Sequence, residues 1–351
     1  MSTSVEAALR ARIDAEGSIG LDVFMEAANA AYYATGDVIG AAGDFITAPE
    51  ISQCFGELVG LWAAVTWQSL GAPAAFNLVE LGPGRGTLMA DVLRSAVLMP
   101  GFGAAAQLHL VERSSSLRHR QRRTLTGRDI RWHDSLASLP PGPTLFLANE
   151  FLDALPIRQW AFTDRWNERR IAGDGDAFRF VLAPTARSIP APAVAGSIYE
   201  DSPAIDAVVR EIAARLIRDG GTALLIDYGY AQGHGDTLQA VRRHAPVEAL
   251  AAPGTRDLTA HVNFGAVAAT ARAAGAGVFG PLEQGTWLRR LGIEVRAEKL
   301  GRGKSAEVRE SILAGVRRLT DARAMGSLFK VMALAQPSLN TLEGFDPKEP
   351  A

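Results

Sequence analysis

Apolar residues recur at helical spacing through positions 4–32, first at Val5, Leu9 and Ile13 and then at Leu21, Phe24 and Met25. The spacing predicts two short helices separated near Gly17–Gly20. A glycine-punctuated stretch, TGDVIGAAGDFITAPE, follows with no apolar stripe. The helical period returns over about Ser52–Ser69, with Pro49 near its entry and Gly71 past its end. Beyond that point short apolar runs alternate with helical stretches. FNLVEL, QLHLVER, IRWHDS, TLFLANEF and TALLIDYGY read as strands, and their alternation with helices predicts a parallel sheet covered on both faces.

The alternation pauses over 157–200. IRQWAFT, RWNERRI and AFRFVL read there as three antiparallel strands, with GDGD as the turn between the last two. A helix then starts at Ser202–Pro203, with Ile205, Val209, Ile212 and Leu216 on one face and Gly220 near its end. After TALLIDYGY come a glycine-rich loop (231–236), the segment APGTRDLTAHVNF and a helix running into Gly275. The chain ends with a short strand, two helices and an apolar strand near SLFKVMAL. The expected fold class is α/β: a Rossmann-like core with a mostly parallel sheet, an N-terminal helical segment and a β-rich insertion. The expected boundaries are 1–70 for the helical segment, 71–156 and 201–335 for the core, 157–200 for the insertion and 336–351 for a flexible tail.

Composition narrows the chemistry. Charged residues make up 21% and the net charge is −2, so no overall field favours nucleic acid or an anionic membrane. The basic run Arg113 to Arg123 and the pair Arg289–Arg290 read as solvated helix faces. A single cysteine, Cys54, excludes an internal disulfide and reads as a small buried hydrophobe. The six histidines show no metal-ligand spacing, so no metal is expected. No apolar run approaches the ~20 residues of a membrane span. The N-terminus lacks the apolar core of a signal peptide and carries acids a transit peptide avoids, so a cytoplasmic location is expected.

Glu80-Leu81-Gly82-Pro83-Gly84-Arg85-Gly86-Thr87 stands where the first parallel strand meets its helix. Ligands of open α/β sheets bind at that end of the strands. Glycines there let the backbone approach a ligand closely, and helix N–H groups favour an anionic group. The spacing is G-x-G-x-G after an acid, not the G-x-G-x-x-G of dinucleotide binders. A carboxylate at Glu80 suits a cationic methionine sulfonium, whereas it would repel a pyrophosphate. Glu112 ends the second strand, where an acid can accept both ribose hydroxyls, and Asp134 after the third strand can accept from an adenine amino group. The alternative is a tight turn with incidental acids.

Asn149-Glu150-Phe151-Leu152-Asp153-Ala154-Leu155-Pro156 leaves the fourth strand into the same crevice. A guanidine nucleophile has a pKa above ~12, so Glu150 and Asp153, beside Asn149, are candidates to clamp it and take up its proton. A surface turn whose acids cap the next element is the competing reading. His261 is a further candidate proton acceptor, with hydrogen bonding inside its loop as the alternative. Phe151, Pro156, Asp227 and Tyr228 are candidate substrate contacts, although core packing of Tyr228 fits equally well. Trp62 and Trp67 belong either to the core or to a partner surface.

Six segments together resemble the MidA-type class I methyltransferases: GDFITAPEISQCFGELVGLW (43–62), LVELGPGRGTLMADVLR (78–94), NEFLDALPI (149–157), IDYGY (226–230), APGTRDLTAHVNF (252–264) and GTWLRRLGI (285–293). They run in that family's order over most of residues 32–334. The resemblance implies a class I methyltransferase core, S-adenosyl-L-methionine as cofactor and an arginine on a core subunit of respiratory complex I as methyl acceptor. It also implies that Asp44, Phe45, Thr47, Glu50 and Gln53 close over the cofactor. Gly36, where the family usually has a basic residue, and Asn263, where many members carry an acid, depart from its pattern. Three other functions stay open: methylation of a different nucleophile, a cofactor-binding assembly chaperone without turnover, and, last, a nicotinamide oxidoreductase. The oligomeric state is not legible.

Overall fold

The computed structural model describes residues 2–34, 47–175, 177–242 and 245–347. They divide into two compact units, one of residues 2–34, 152–175, 177–207, 232–242 and 245–263, the other of 47–151, 208–231 and 264–347.

The second unit is built on a mixed sheet. Its strands, numbered in chain order, are β1 (Phe76–Leu81), β2 (Ala106–Val111), β3 (Ile130–His133), β4 (Thr144–Asn149), β5 (Gly221–Tyr230), β6 (Gly277–Glu283) and β7 (Phe329–Ala335). They lie in the order β6-β7-β5-β4-β1-β2-β3. β1 to β5 are parallel to their neighbours, while β7 runs antiparallel to both β5 and β6. β1 is buried along its whole length, as the continuous apolar run FNLVEL requires of a strand covered on both faces. The chain proceeds from β1 to β2 and β3 on one side and to β4 and β5 on the other. The reversal of direction lies beside β1, where open α/β sheets leave a crevice at the carboxyl ends of their strands.

The predicted helix over Ser52–Ser69 is Gln53–Ser69, with the Ser52 side chain accepting from the Cys54 N–H at 3.3 Å. Trp62 and Trp67 on it are 1% and 6% exposed, which places both in the core. Cys54 is fully buried there, and burial pushes its thiol above the usual range.

The first unit holds the predicted N-terminal helices, Ser2–Glu16 and Leu21–Ala34. Their apolar face (Leu9, Ile13, Phe24, Met25, Ala28) packs with Ile157, Ile171, Ala240 and Leu258. The strands 158–162, 166–174, 177–184 and 198–201 form the expected antiparallel insertion, joined by residues 19–20.

Three sequence expectations change. Residues 1–70 do not form one segment, because the two N-terminal helices belong with the insertion and residues from 47 onward belong with the sheet. Residues 232–263 hold a three-stranded sheet (239–242, 245–247, 257–259) that strands of three or four residues do not announce in sequence. The 336–351 tail is packed as far as it is described. Leu339 and Leu342 are buried, the Trp62 indole donates to the Glu343 carbonyl at 3.1 Å, and the Phe345 ring lies 6.3 Å from that of Trp287.

Candidate functional site

The second unit gathers its candidate residues at the carboxyl ends of β1 to β5. Register sets this: Leu81 pairs with Val111 and Ala148, Val111 with His133, and Ile226 with Asn149. The residues that follow these positions emerge side by side. Gly82, Gly84 and Gly86 have φ of 60°, 51° and 82°, left-handed backbone that glycine adopts without a Cβ penalty. At Gly82 a Cβ would also come within 2.9 Å of the Phe151 ring. Phe151, expected as a substrate contact, therefore packs on the glycine turn. Gly86 closes the turn through a 2.7 Å bond to the Pro83 carbonyl and caps the helix Thr87–Ser95.

Glu80 is fully enclosed. It accepts the Met89 N–H, its Oε2 has no hydrogen-bond partner, and burial pushes its carboxyl up to about 8. Burial favours its protonated form, opposed among the described residues by the Met89 N–H, and a cation brought beside it would favour the carboxylate. Its bond to the helix explains its place: it braces the turn from below.

Glu112 is the acid best placed to hold a ribose hydroxyl. One carboxylate oxygen accepts the Ser114 N–H at 2.7 Å and the other accepts from Gln121 Nε2 at 3.3 Å. The Arg113 N–H contributes as well, and a carboxylate with about four acceptor sites keeps capacity for a ribose hydroxyl. Burial raises its carboxyl, opposed by these hydrogen bonds and by Arg118. Asp134 is 82% exposed and lies 2.7 Å from Arg118. This pairing leaves it at the rim.

Of the residues expected to close over a cofactor, Asp44 and Phe45 lie outside the described residues. Thr47 precedes the short helix Ala48–Ile51. Glu50 on that helix accepts the Thr87 hydroxyl at 2.5 Å and has Arg85 at 3.9 Å, which fastens it to the glycine loop. The Gln53 amide donates instead to Glu57 at 2.7 Å, itself paired with Arg296. Gln53 is therefore part of a polar cluster between helices.

Glu150 has φ of 52°, uncommon for a residue with a side chain. Its Oε1 accepts the Ala48 N–H and the Asn149 amide, each at 3.0 Å. Asp227 is 1% exposed and accepts the N–H groups of Phe151 (3.2 Å) and Tyr228 (3.0 Å). It holds the turn after β4 from the neighbouring strand. The Tyr228 ring meets Phe329 edge-on at 5.5 Å.

The first unit carries the remaining candidates. Asp153 is 7% exposed and its carbonyl accepts the Ala260 N–H at 3.0 Å. The Tyr33 hydroxyl donates to Asp257 at 2.9 Å. Burial, with the Asp257 and Asp153 carboxylates nearby, pushes that hydroxyl well above its usual range. The His261 N–H donates to Thr237 Oγ at 2.9 Å, and the Pro156 carbonyl accepts from Ser202 at 2.6 Å. The pairing of Tyr33 with Asp257 is not legible in sequence: Asp257 lies inside DLTAHVNF beside the more conspicuous His261, and Tyr33 reads as one more apolar position of its helix. Among the described residues no group of three or more His, Cys, Asp or Glu could hold a metal ion, and no helix is long and apolar enough to cross a membrane.

Comparison with known proteins shows the family to which the chain is similar. Residues 58–282 match a family model described as "Putative S-adenosyl-L-methionine-dependent methyltransferase". The chain is 38% identical to the Drosophila melanogaster protein arginine methyltransferase NDUFAF7 homolog, mitochondrial, over 93% of its length and 83% of that protein. It is 36% identical to the Homo sapiens protein arginine methyltransferase NDUFAF7, mitochondrial, over 86% and 76%. A crystal structure from Burkholderia thailandensis bound to S-adenosyl-homocysteine superposes with a TM-score of 0.85 at 30% identity, covering 98% of this chain and 94% of that one. The mitochondrial labels of the relatives overturn the cytoplasmic expectation. The physical reason is that the N-terminal residues form a helix packed into the first unit, and packing carries no information about compartment.

Proposed function

We propose that this chain, which belongs to the S-adenosyl-L-methionine-dependent methyltransferase family and uses that cofactor, methylates an arginine nitrogen of a protein client, a core subunit of respiratory complex I. The observation that carries the arginine reading is identity of 36–38% to relatives bearing the name protein arginine methyltransferase, over 86–93% of this chain. The acid-bearing turn after β4 supports it.

When bound, the cofactor supplies an electrophilic methyl group on a sulfonium. The chain's own residues do the rest. Gly82, Gly84 and Gly86 admit the ligand to within contact of the backbone. Glu112 accepts from a ribose hydroxyl through oxygens already oriented by Ser114 and Gln121. A guanidinium has no free lone pair in water, so its attack requires loss of an N–H proton as the N–C bond forms. The Glu150 carboxylate, fixed by the Ala48 N–H and Asn149, is the group assigned to accept that N–H and its proton. Fixing the acceptor in advance matters because in-line transfer depends on orientation.

The test uses cofactor labelled in the methyl group and peptides from exposed segments of complex I core subunits, each made with arginine and with lysine in its place. Label confined to the arginine peptides is the expected result. Label on the lysine peptides, or on none while S-adenosyl-homocysteine still binds, defeats the proposal.

A further inference from the structure

Gln121 lies on the helix Ser115–Thr124, is fully buried, and touches three separate pieces of the candidate site. Its Oε1 accepts from the Trp132 indole N–H on β3 at 2.8 Å. Its Nε2 donates to the Gly84 carbonyl at 2.8 Å and to Glu112 Oε2 at 3.3 Å. The chemistry of the partners fixes which way the amide points. An indole N–H only donates, so it must face Oε1, while a carbonyl and a carboxylate only accept, so they must face the NH2 group. Turning the amide over would break all three bonds. Its stem is also close to the glycine loop, since a Cβ at Gly86 would lie 3.6 Å from Gln121 Cγ. Arg122 covers the Trp132 ring at 4.6 Å and limits where the indole can move.

From this arrangement we infer that Gln121 is a positioning residue for the cofactor, setting the distance and angle between the glycine loop and the Glu112 carboxylate. Ser114 orients one Glu112 oxygen from the start of the same helix and Gln121 the other from two turns further on. The carboxylate thereby presents its remaining acceptor capacity to a ribose hydroxyl. No other side chain bonds both the Gly84 carbonyl and Glu112 among the described hydrogen bonds. Removing the partner that orients a ligating side chain at a metal site typically costs about 10- to 100-fold in affinity, and a loss of the same order is expected for this carboxylate. The inference rests on the cofactor site and is independent of the methyl acceptor.

The test is isothermal titration of the full chain with S-adenosyl-homocysteine and with its 2′-deoxy analogue, comparing wild type with Gln121→Leu. The expected result is an affinity for S-adenosyl-homocysteine lower by about 10- to 100-fold, with a much smaller loss for the deoxy analogue, so that discrimination between them narrows. Equal losses for both ligands would mean that Gln121 only supports the fold. An affinity within twofold of wild type would overturn the inference outright. If Gln121→Leu does not fold, the same comparison is made with Gln121→Glu, which is nearly isosteric. Its carboxylate faces the Gly84 carbonyl and Glu112, so its affinity relative to wild type at the same pH, where Glu80 and Glu112 titrate alike in both, should recover as pH falls from 8 to 5.5 and the new carboxyl gains a proton. A flat profile in that variant counts against the inference.

Discussion

Glu150 Oε1 lies 3.0 Å from the backbone nitrogen of Ala48, so the acid that follows β4 also holds the first turn of the helix carrying Glu50. The bond needs an acceptor oxygen and no formal charge. This separates the two roles of the side chain. Glu150→Gln should keep the Ala48 contact and bind S-adenosyl-homocysteine within about threefold of wild type, while methyl transfer falls by about 10²- to 10⁴-fold through loss of the base. Titration and single-turnover transfer measured on the same sample check both halves. Transfer near the wild-type rate would remove Glu150 from the chemistry.

The glycine turn tolerates little. Gly82→Ala forces a Cβ onto a residue at φ 60° and into the Phe151 ring. The backbone alone costs about 1–2 kcal/mol. Gly84→Val places a β-branched residue at φ 51° in the stretch that the cofactor approaches. Urea denaturation should show the first variant destabilised by at least the backbone amount. Titration should show cofactor binding abolished in the second.

Glu80 makes stability depend on pH with a definite sign. Its folded value is about 8 against 4.5 when solvated, so between these limits the unfolded chain releases a proton that the folded chain retains. Stability therefore falls as pH rises from about 4.5 to 8 and levels off above. Glu80→Gln keeps a neutral polar group and cannot ionise. Relative to wild type, its urea midpoint should gain more at pH 8 than at pH 5, both measured without cofactor. A constant difference across that range would contradict burial of the carboxyl.

A second titration runs the other way. His109 Nδ1 and His133 Nε2 are 2.9 Å apart on the adjacent strands β2 and β3, and one proton serves both nitrogens. Burial, then His133 and Arg131, lower His109 from 6.5 to about 4, and burial lowers His133 as well. A depressed histidine contributes stability that is present above 6.5 and lost as pH falls toward 4. His109→Gln should weaken the fold at pH 7.5 yet lose less of its melting temperature than wild type on going to pH 5. Calorimetry at the two pH values checks this.

Much of this was readable in advance because it is written in local pattern. β1, β2 and β4 are short apolar runs, and the acids Glu80, Glu112 and Glu150 stand at or just past their ends. What was not readable depends on partners far away in sequence. Asn29 looks like a polar interruption of an amphipathic helix. It is buried because it bonds the carbonyls of Ala154 and Leu258 and the Leu258 N–H, more than 100 residues away. Gln121 sits in SSLRHRQRRT, a helix whose charge suggests a solvated surface. Only Leu117 and Gln121 turn inward from it, too few to give an apolar stripe. Glu80 stands at the end of β1 where its place before the glycines puts it, but its raised carboxyl follows from depth, which a motif does not encode.

β7 enters the sheet between β5 and β6 although it is made of residues 329–335, about 100 residues beyond β5 in sequence. During synthesis β5 leaves the ribosome more than 100 residues ahead of this partner, with one edge of its backbone unpaired. An unpaired edge on a hydrophobic strand invites association with other chains. The sheet therefore closes only once β7 has been made, so ribosome stalling between β5 and β7 would leave an aggregation-prone nascent chain whose natural holders are chaperones.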